Sequence, residues 1–327
     1  MRLLVLGGTM FLSRAVAEEA LRRGHDVPCA CRGVSGTVPD ATTHVVWDRG
    51  DEETPTELTS APFDSVVDVA RHPSFVRSAV ATFPDAHWIF VSTINVYSDD
   101  TIPNGTPDTL PLHEPVHTDE DPMASPELYG AMKVSCEQAV LGGAASAMVV
   151  RPGLIVGPGD PTGRFSYWPS RLADGGEVLA PGSPDDAVQV IDVRDLAAWI
   201  VDAAEARTTG VYTGTSHVMT RAEFLAQMAD GLGVEPQLTW VDQEFLAEQE
   251  VEPWMGPRAI PGWLPLPEYA GLMAHDVRAS YDAGLVTRPV GDTTRDTLAW
   301  LRDHPDATTT GISRDDEAEV LRNWHAR

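Results

Sequence analysis

The apolar run Leu3-Leu4-Val5-Leu6 stops at Gly7-Gly8, and an amphipathic stretch over residues 11–23 follows, ending at Gly24. This order of short apolar strand, glycine turn and helix constrains the chain more than any other feature. A strand that is apolar throughout is buried on both faces, and helices must cover it on each side. The pattern continues with strands over 26–31, 44–47, 65–69 and 88–91, and a helix over 73–82 lies between the last two. Pro28 suits an edge strand, because proline has no N–H to donate to a ladder. The alternation predicts a doubly wound parallel sheet. A proline-rich irregular segment over 98–127 leads to a helix over 126–141 and a strand over 147–150.

Beyond that point the pattern loosens. Thr220-Arg221-Ala222-Glu223 reads as a capping box opening a helix. Ser313 caps a last helix that carries Asp315, Asp316 and Glu317 in its first turn. Residues 240–267, rich in Trp and Pro, read as neither clean helix nor clean strand. The reading is a Rossmann-type core over 1–160 and a smaller C-terminal substrate-binding subdomain over 161–327, with 187–213 returning to the core.

The 327 residues carry 49 acidic and 23 basic side chains, a net charge of −26. Such a surface repels phosphate backbones and anionic lipid, which argues against charge-driven nucleic-acid binding and membrane attachment. No run of about 18 apolar residues is present, so no membrane span is expected. Met1-Arg2 leads directly into the first strand, so no signal peptide is expected. Three cysteines, Cys29, Cys31 and Cys136, make no disulfide framework, and a cytoplasmic location is expected. Among the 23 basic residues, Lys133 is the one lysine. An ammonium is a compact donor with a tunable pKa, a role guanidinium cannot take.

Lys133 stands four residues after Tyr129, so on a helix the two share a face. A phenol near pKa 10 is a poor acid or base at neutral pH, and a nearby ammonium lowers it. Ser92 and Thr93 end the preceding strand and offer hydroxyls to a substrate oxygen. Gly7-Gly8-Thr9-Met10-Phe11-Leu12 places backbone N–H groups and a helix N-terminus where a pyrophosphate can dock. At the end of the second strand, where an acid would grip the ribose of NAD, the chain has Cys31 and Arg32. Arg32 suits the 2′-phosphate of NADP. Asp48 and Arg49 follow the third strand and could reach the adenine end.

These elements resemble the extended short-chain dehydrogenase/reductase superfamily, in its NAD-dependent epimerase/dehydratase branch. The matching motifs are the glycine turn, Ser92-Thr93…Val96-Tyr97, Tyr129…Lys133, Arg151-Pro152-Gly153…Gly157-Pro158-Gly159 and Val193-Arg194-Asp195-Leu196-Ala197. The resemblance covers about residues 1 to 205. Arg32 points to NADP, with NAD as the alternative, and the resemblance implies Tyr129 as proton donor or acceptor and Thr93 as the hydroxyl partner. Lys133 would bind the nicotinamide ribose and lower the Tyr129 pKa. The cofactor would meet Gly7, Thr9, Met10, Phe11, Leu12, Val69 and Ala70, with Pro152, Gly153, Leu154 and Ile155 flanking the nicotinamide. A homodimer and a small-molecule substrate are further implications.

There are departures too. A full fingerprint has glycine at positions 7, 10 and 13, but Met10 and Ser13 stand at two of them, which predicts altered or weakened cofactor binding. The opening is closer to an atypical GGTxFLGR subgroup that includes reductase-like proteins and plastid RNA-associated proteins. Sugar-nucleotide members carry an arginine where this chain has Val188, which argues against a nucleoside diphosphate handle. Arg164, Arg171, Arg221 and Arg258 are possible substitutes, and Arg164 and Trp168 are the substrate-side candidates. Trp240, Trp254 and Trp263 either line a pocket or pack the subdomain. The acidic and histidine-bearing segment with His113, Glu114, His117, Asp119, Glu120 and Asp121 has no ligand spacing, and no metal is expected.

The expectation is an NADP(H)-dependent oxidoreductase acting through Thr93, Tyr129 and Lys133. An epimerase or dehydratase on a sugar-like substrate is the alternative. It would need a further acid or base, for which Glu114, Asp119 and His72 are candidates. A catalytically inactive nucleotide-binding or RNA-associated scaffold is the reading from another class.

Overall fold

The structure, a computed structural model, describes residues 1–51 and 53–327. Along the chain, β1 (Leu3–Leu6), α1 (Phe11–Arg22), β2 (Pro28–Cys31) and β3 (Thr43–Val46) come first. Next are α2 (Thr56–Thr59), β4 (Ser65–Asp68), α3 (Pro73–Thr82) and β5 (His87–Val91). A 3-10 turn at Ile94–Val96 and a long loop lead to α4 (Pro126–Gly143) and β6 (Ser146–Pro152). Then follow β7 (Leu154–Val156), α5 (Tyr167–Ala173), β8 (Glu177–Pro181), β9 (Ala187–Val188), β10 (Val190–Asp192), α6 (Val193–Ala206) and β11 (Gly210–Gly214). The last part holds β12 (Met219–Thr220), α7 (Arg221–Leu232), β13 (Gln237–Val241), α8 (Gln243–Glu248), β14 (Glu252–Pro253), β15 (Ala259–Ile260), α9 (Arg278–Asp282), α10 (Val290–Asp303) and α11 (Arg314–His325).

Seven strands form one parallel sheet in the order β11-β6-β5-β4-β1-β2-β3. In β1, Leu3 and Val5 face α1 and α6, which bury Val16, Ala17, Ala20, Leu196, Trp199 and Ile200 against them. Leu4 and Leu6 face the other way, onto Val76, Ala79 and Val80 of α3 and Cys136 and Val140 of α4. The two-residue period of the strand thus feeds two cores. Each fully buried Val or Leu contributes roughly 1.5–3 kcal/mol. A third core joins β8, α5, α7, β13 and α11 in the C-terminal half.

Two sequence expectations change. β2 lies between β1 and β3, so Pro28 is not on an edge strand. It is the first residue of its strand, where a missing N–H costs the ladder least. Residues 237–253 also form more regular structure than expected: β13 runs parallel to β8, and α8 follows, capped by Asp242. The tryptophans and prolines there hide the spacing that would reveal these short elements. Among the described residues, no helix is long and apolar enough to cross a membrane.

Candidate active site

Parallel strands deliver their carboxyl ends to one rim of the sheet, and the loops leaving that rim hold most of the candidate residues. Gly7 and Gly8 leave β1 with φ of 138° and 105°. A Cβ on Gly8 would stand 2.6 Å from the Cys29 sulfur, so this turn admits no side chain. Ser13 fills the place of the third fingerprint glycine. Its hydroxyl accepts the Gly8 N–H at 3.0 Å and donates to the Met10 carbonyl at 2.9 Å. Met10 is the N-cap of α1 and gives no side-chain cap, so the first N–H groups of the helix are left for a ligand or water.

Arg32 follows β2 with its side chain 62% exposed and its nearest carboxylate, Asp48, 3.9 Å away. Arg49 is placed differently from its expected adenine-side position. Its guanidinium turns onto Asp68 at the end of β4, with bonds of 2.7 and 2.8 Å. Asp68 is fully buried and also accepts the Ala70 N–H at 2.9 Å. Burying that carboxylate without a cation would be costly, so the pairing takes precedence over a solvent-facing arginine.

Tyr129 and Lys133 sit on α4, whose N-terminus is capped by Ser125 through the Leu128 N–H. Gly130 sets how near this helix comes to the strand rim. A Cβ there would lie 1.9 Å from the Asn95 carbonyl oxygen. That close approach sets where Tyr129 stands at the rim, where the Thr93 hydroxyl donates to the Asn95 side-chain oxygen at 2.9 Å. Burial raises the phenol above its ordinary value, while the Arg71 charge and the Thr93 hydroxyl pull it back. Arg71, whose charge lowers the phenol pKa, was not singled out by sequence reasoning. The Lys133 ammonium turns inward, donating to the Ala70 carbonyl at 2.8 Å and the Val91 carbonyl at 2.5 Å, with the Phe90 ring 4.2 Å away. Burial lowers its pKa to about 8.

Ser92 faces away from this cluster. It is buried and donates to Glu137, one further turn along α4. Glu137 also receives Arg151 through two bonds, at 3.0 and 2.7 Å, and Arg151 lies against Tyr97. Neither member of the Glu137–Arg151 pair was foreseen, because their charges are masked in otherwise apolar helix and strand patterns.

On the substrate side, Trp168 does not face a pocket. It is 2% exposed, and its indole donates to the Pro261 carbonyl at 2.7 Å inside the third core. Trp263 is buried there as well. Arg171 is occupied by Glu317 and the Gly175 carbonyl, and Arg258 by Asp316. Arg164 lies 4.9 Å from the Trp254 ring. A narrow cleft beside Ile94 is lined by Gly153, Leu154, Thr215, Trp254 and His275 among others. Asp119 accepts the Ser74 hydroxyl at 2.5 Å, and Glu114 is exposed. The His72 Nδ1 is buried with no partner among the described residues.

The seven-stranded parallel sheet covered by helices on both faces is a Rossmann-like fold. Residues 76–214 match the model of the NAD dependent epimerase/dehydratase family. No curated protein matches the sequence. Several solved structures share the fold. UDP-glucose 4-epimerase from Thermotoga maritima, solved with UDP-glucose, has a TM-score of 0.65 at 17% identity, covering 93% of this chain and 100% of that one. WbmH from Bordetella bronchiseptica, in complex with NAD+, has a TM-score of 0.61 at 17% identity, covering 93% and 99%. Thermus thermophilus UDP-glucose 4-epimerase, in complex with NAD, has a TM-score of 0.60 at 18% identity, covering 92% and 99%.

Proposed function

We propose that the chain is an NADP(H)-dependent oxidoreductase that interconverts a carbonyl and an alcohol on a small molecule. The observation that carries this reading is the helix α4, which bears Tyr129 and, one turn on, anchors the single lysine at the strand rim through the Ala70 and Val91 carbonyls. The residues present fit a nicotinamide dinucleotide. Gly7 and Gly8 form a turn that side chains would fill, and α1 leaves its N-terminal N–H groups uncapped. Arg32, exposed and only loosely paired, suits a 2′-phosphate. When bound, the nicotinamide supplies or accepts a hydride.

The protein side of the reaction is proton handling. Burial keeps the Tyr129 phenol protonated at neutral pH, which suits it to donate a proton to a carbonyl oxygen as that oxygen becomes an alcohol. Thr93 holds the same oxygen. Lys133 has two donors committed to carbonyls, which leaves one for a ribose hydroxyl. Ser92 donates to Glu137 beneath the site and is assigned a supporting role there. A second reading is favoured by the family match: an epimerase or dehydratase, in which hydride is taken and returned. Tightly retained cofactor with no net oxidation distinguishes it.

Calorimetric titration with NADPH and NADH tests the cofactor, after a denatured sample has been checked for carried-over nucleotide. NADPH is expected to bind more tightly, with the preference lost in Arg32→Ala. A panel of carbonyl substrates then compares the protein with Tyr129→Phe, which should lose most of its rate and keep cofactor affinity. Normal turnover in Tyr129→Phe overturns the mechanism. Binding of neither dinucleotide, with none carried over, moves the scaffold reading to the front.

A further inference from the structure

Three arginines are buried among the described residues, and they are not paired alike. Arg151 is bonded to Glu137, and Arg171 to Glu317. Arg221, at the first position of α7, is 3% exposed, yet its nearest carboxylate, Asp186, stands 3.9 Å from Nε. A guanidinium presents its N–H donors in a planar fork. Among the described residues only Nη1 of this fork is hydrogen-bonded, to the Gly262 carbonyl at 3.1 Å, and Nε is buried with no partner. Asp186 is held where it is. Its carboxylate accepts the Ser183 N–H at 3.0 Å, and its carbonyl accepts the Arg221 backbone N–H at 2.7 Å. Burial lowers the guanidinium to about 10, and it is still a cation at neutral pH. A buried cation with unmet donors is costly, so a partner that arrives from outside is the natural account.

The surroundings say what fits. Arg221 lines a cavity of about 60 Å³. That is room for about four or five water molecules, or for one small planar group and the start of the chain that carries it. Asp186 is the other charged side chain of the lining, and Leu264, Leu266, Met273 and Tyr269 supply apolar surface. Apolar walls around one convergent cationic fork suit an organic anion. Asp186 then decides between anions. A phosphoryl dianion would meet a like charge across the same guanidinium. A carboxylate brings a single negative charge and two oxygens that match the fork. The cavity also lies on the substrate side, because Leu264 and Tyr269 pack against the cluster that holds Ile94, the residue after Thr93.

We propose that Arg221 forms a carboxylate-binding subsite, which takes the acid group of a small organic substrate and lays its body along Leu264, Leu266 and Tyr269. The carboxylate accepts from the unmet donors of the guanidinium, while Asp186 balances its charge from the other side. Such a substrate needs no nucleoside diphosphate to anchor it. That the bound acid is a substrate rests on the hydride-transfer reading; that the subsite binds a carboxylate does not.

The test is a titration of the full chain, labelled with 15N at arginine, with propionate, propionamide, inorganic phosphate and UDP. Propionate and propionamide share a shape and differ in charge. The Nε–H signal absent from Arg221→Lys should shift saturably with propionate and stay fixed with propionamide. Arg221→Lys keeps the charge and loses the fork. It should weaken propionate by about tenfold, read by saturation transfer to the propionate methyl protons. Ala270→Leu narrows the cavity and leaves Arg221 in place, so the Nε–H signal should persist while its response to propionate is lost. This variant also serves if Arg221→Lys does not fold. No saturable shift with propionate, an equal shift with propionamide, a shift that survives in Ala270→Leu, or tighter binding of phosphate or UDP overturns the subsite. Tyr129→Phe should give the same propionate titration. Normal turnover in that variant beside an intact shift would remove the hydride reading and leave the carboxylate subsite standing.

Discussion

The Ser13 hydroxyl accepts the backbone N–H of Gly8 at 3.0 Å. It also donates to the Met10 carbonyl, so one side chain closes the turn that a third glycine would leave open. A Cβ on Gly7 would come 3.1 Å from Ser13 Cβ, so the serine already fills the space beside that turn. Ser13→Gly is expected to lower stability by about 1–2 kcal/mol, through lost hydrogen bonds and added backbone freedom. NADPH affinity should change by less than threefold if the loop conformation survives. Thermal unfolding and calorimetry on the same samples check both halves. A gain in stability would show that the serine is a strained substitute and not a closure.

Gly130 and the Asn95 carbonyl define the tightest approach in the site. Gly130→Ala must push α4 off the strand rim, because the new Cβ would sit 1.9 Å from a backbone oxygen. Helix propensity favours alanine by about 1 kcal/mol, yet this contact should reverse the sign. The expected result is a less stable protein with turnover reduced at least tenfold, since Tyr129 and Lys133 move with the helix. Unchanged turnover in Gly130→Ala would mean the site tolerates a shifted helix.

The alternation of strand and helix was legible because it is written in local periodicity. The Tyr129–Lys133 pair was legible because four residues make one helical turn. What escaped was set by partners distant in sequence. Arg49 could be placed near the cofactor by position, yet its direction was decided by Asp68, at the end of β4 on the far side of β1 and β2. His275 meets Gln189 across 86 residues, and no local pattern marks either as part of a cleft. Glu137 and Arg151 look like ordinary surface charges in their elements until the fold buries them together. The Pro28 expectation failed for a related reason. Proline reports a missing donor, and strand order decides whether that matters.

The Glu137–Arg151 pair yields a prediction of its own. Both side chains are almost fully buried, and Glu137 also receives the Ser92 hydroxyl. Arg151→Met leaves a buried carboxylate without its cation, which should cost about 3–5 kcal/mol. The double variant Arg151→Met/Glu137→Met should recover much of that loss, because the stranded charge is gone. Urea unfolding of the two variants decides. Equal destabilisation in both would mean that packing, not charge, holds this corner.

Acid should destabilise the protein through two histidines before the paired carboxylates respond. His87 and His275 are buried and held at pKa values of about 4, against 6.5 when unperturbed. Below about pH 6.5 the unfolded chain takes up protons that the folded chain refuses, so stability falls as pH drops from 6.5 towards 4. Each site contributes at most roughly 3 kcal/mol across that window. Asp100, whose carboxyl burial raises, works in the opposite direction. Urea midpoints at pH 7.5, 6 and 5 should decline, and the decline should be shallower in His87→Asn. A flat profile would show that both imidazoles find partners in solution.

Lys133 is expected to set the alkaline limit of the proposed activity. Its ammonium lies between two carbonyls and beside the Phe90 ring, and burial brings its pKa down to about 8. The Tyr129 phenol, pushed above its ordinary value, stays protonated well beyond that pH. With Tyr129 as the acid and Lys133 as the cation that grips the ribose, kcat/KM should hold level below pH 8 and fall above it. The upper limb then belongs to the lysine and not to the tyrosine. Lys133→Arg cannot restore it, since a planar guanidinium does not fit a space shaped for an ammonium that is 1% exposed. It should reduce turnover by about a hundredfold or more and cost roughly 1–3 kcal/mol of stability from overpacking. A pH–rate profile on the native protein and melting of Lys133→Arg make the check. An upper limb above pH 10 would assign the titration to Tyr129 and remove Lys133 from the acid–base account.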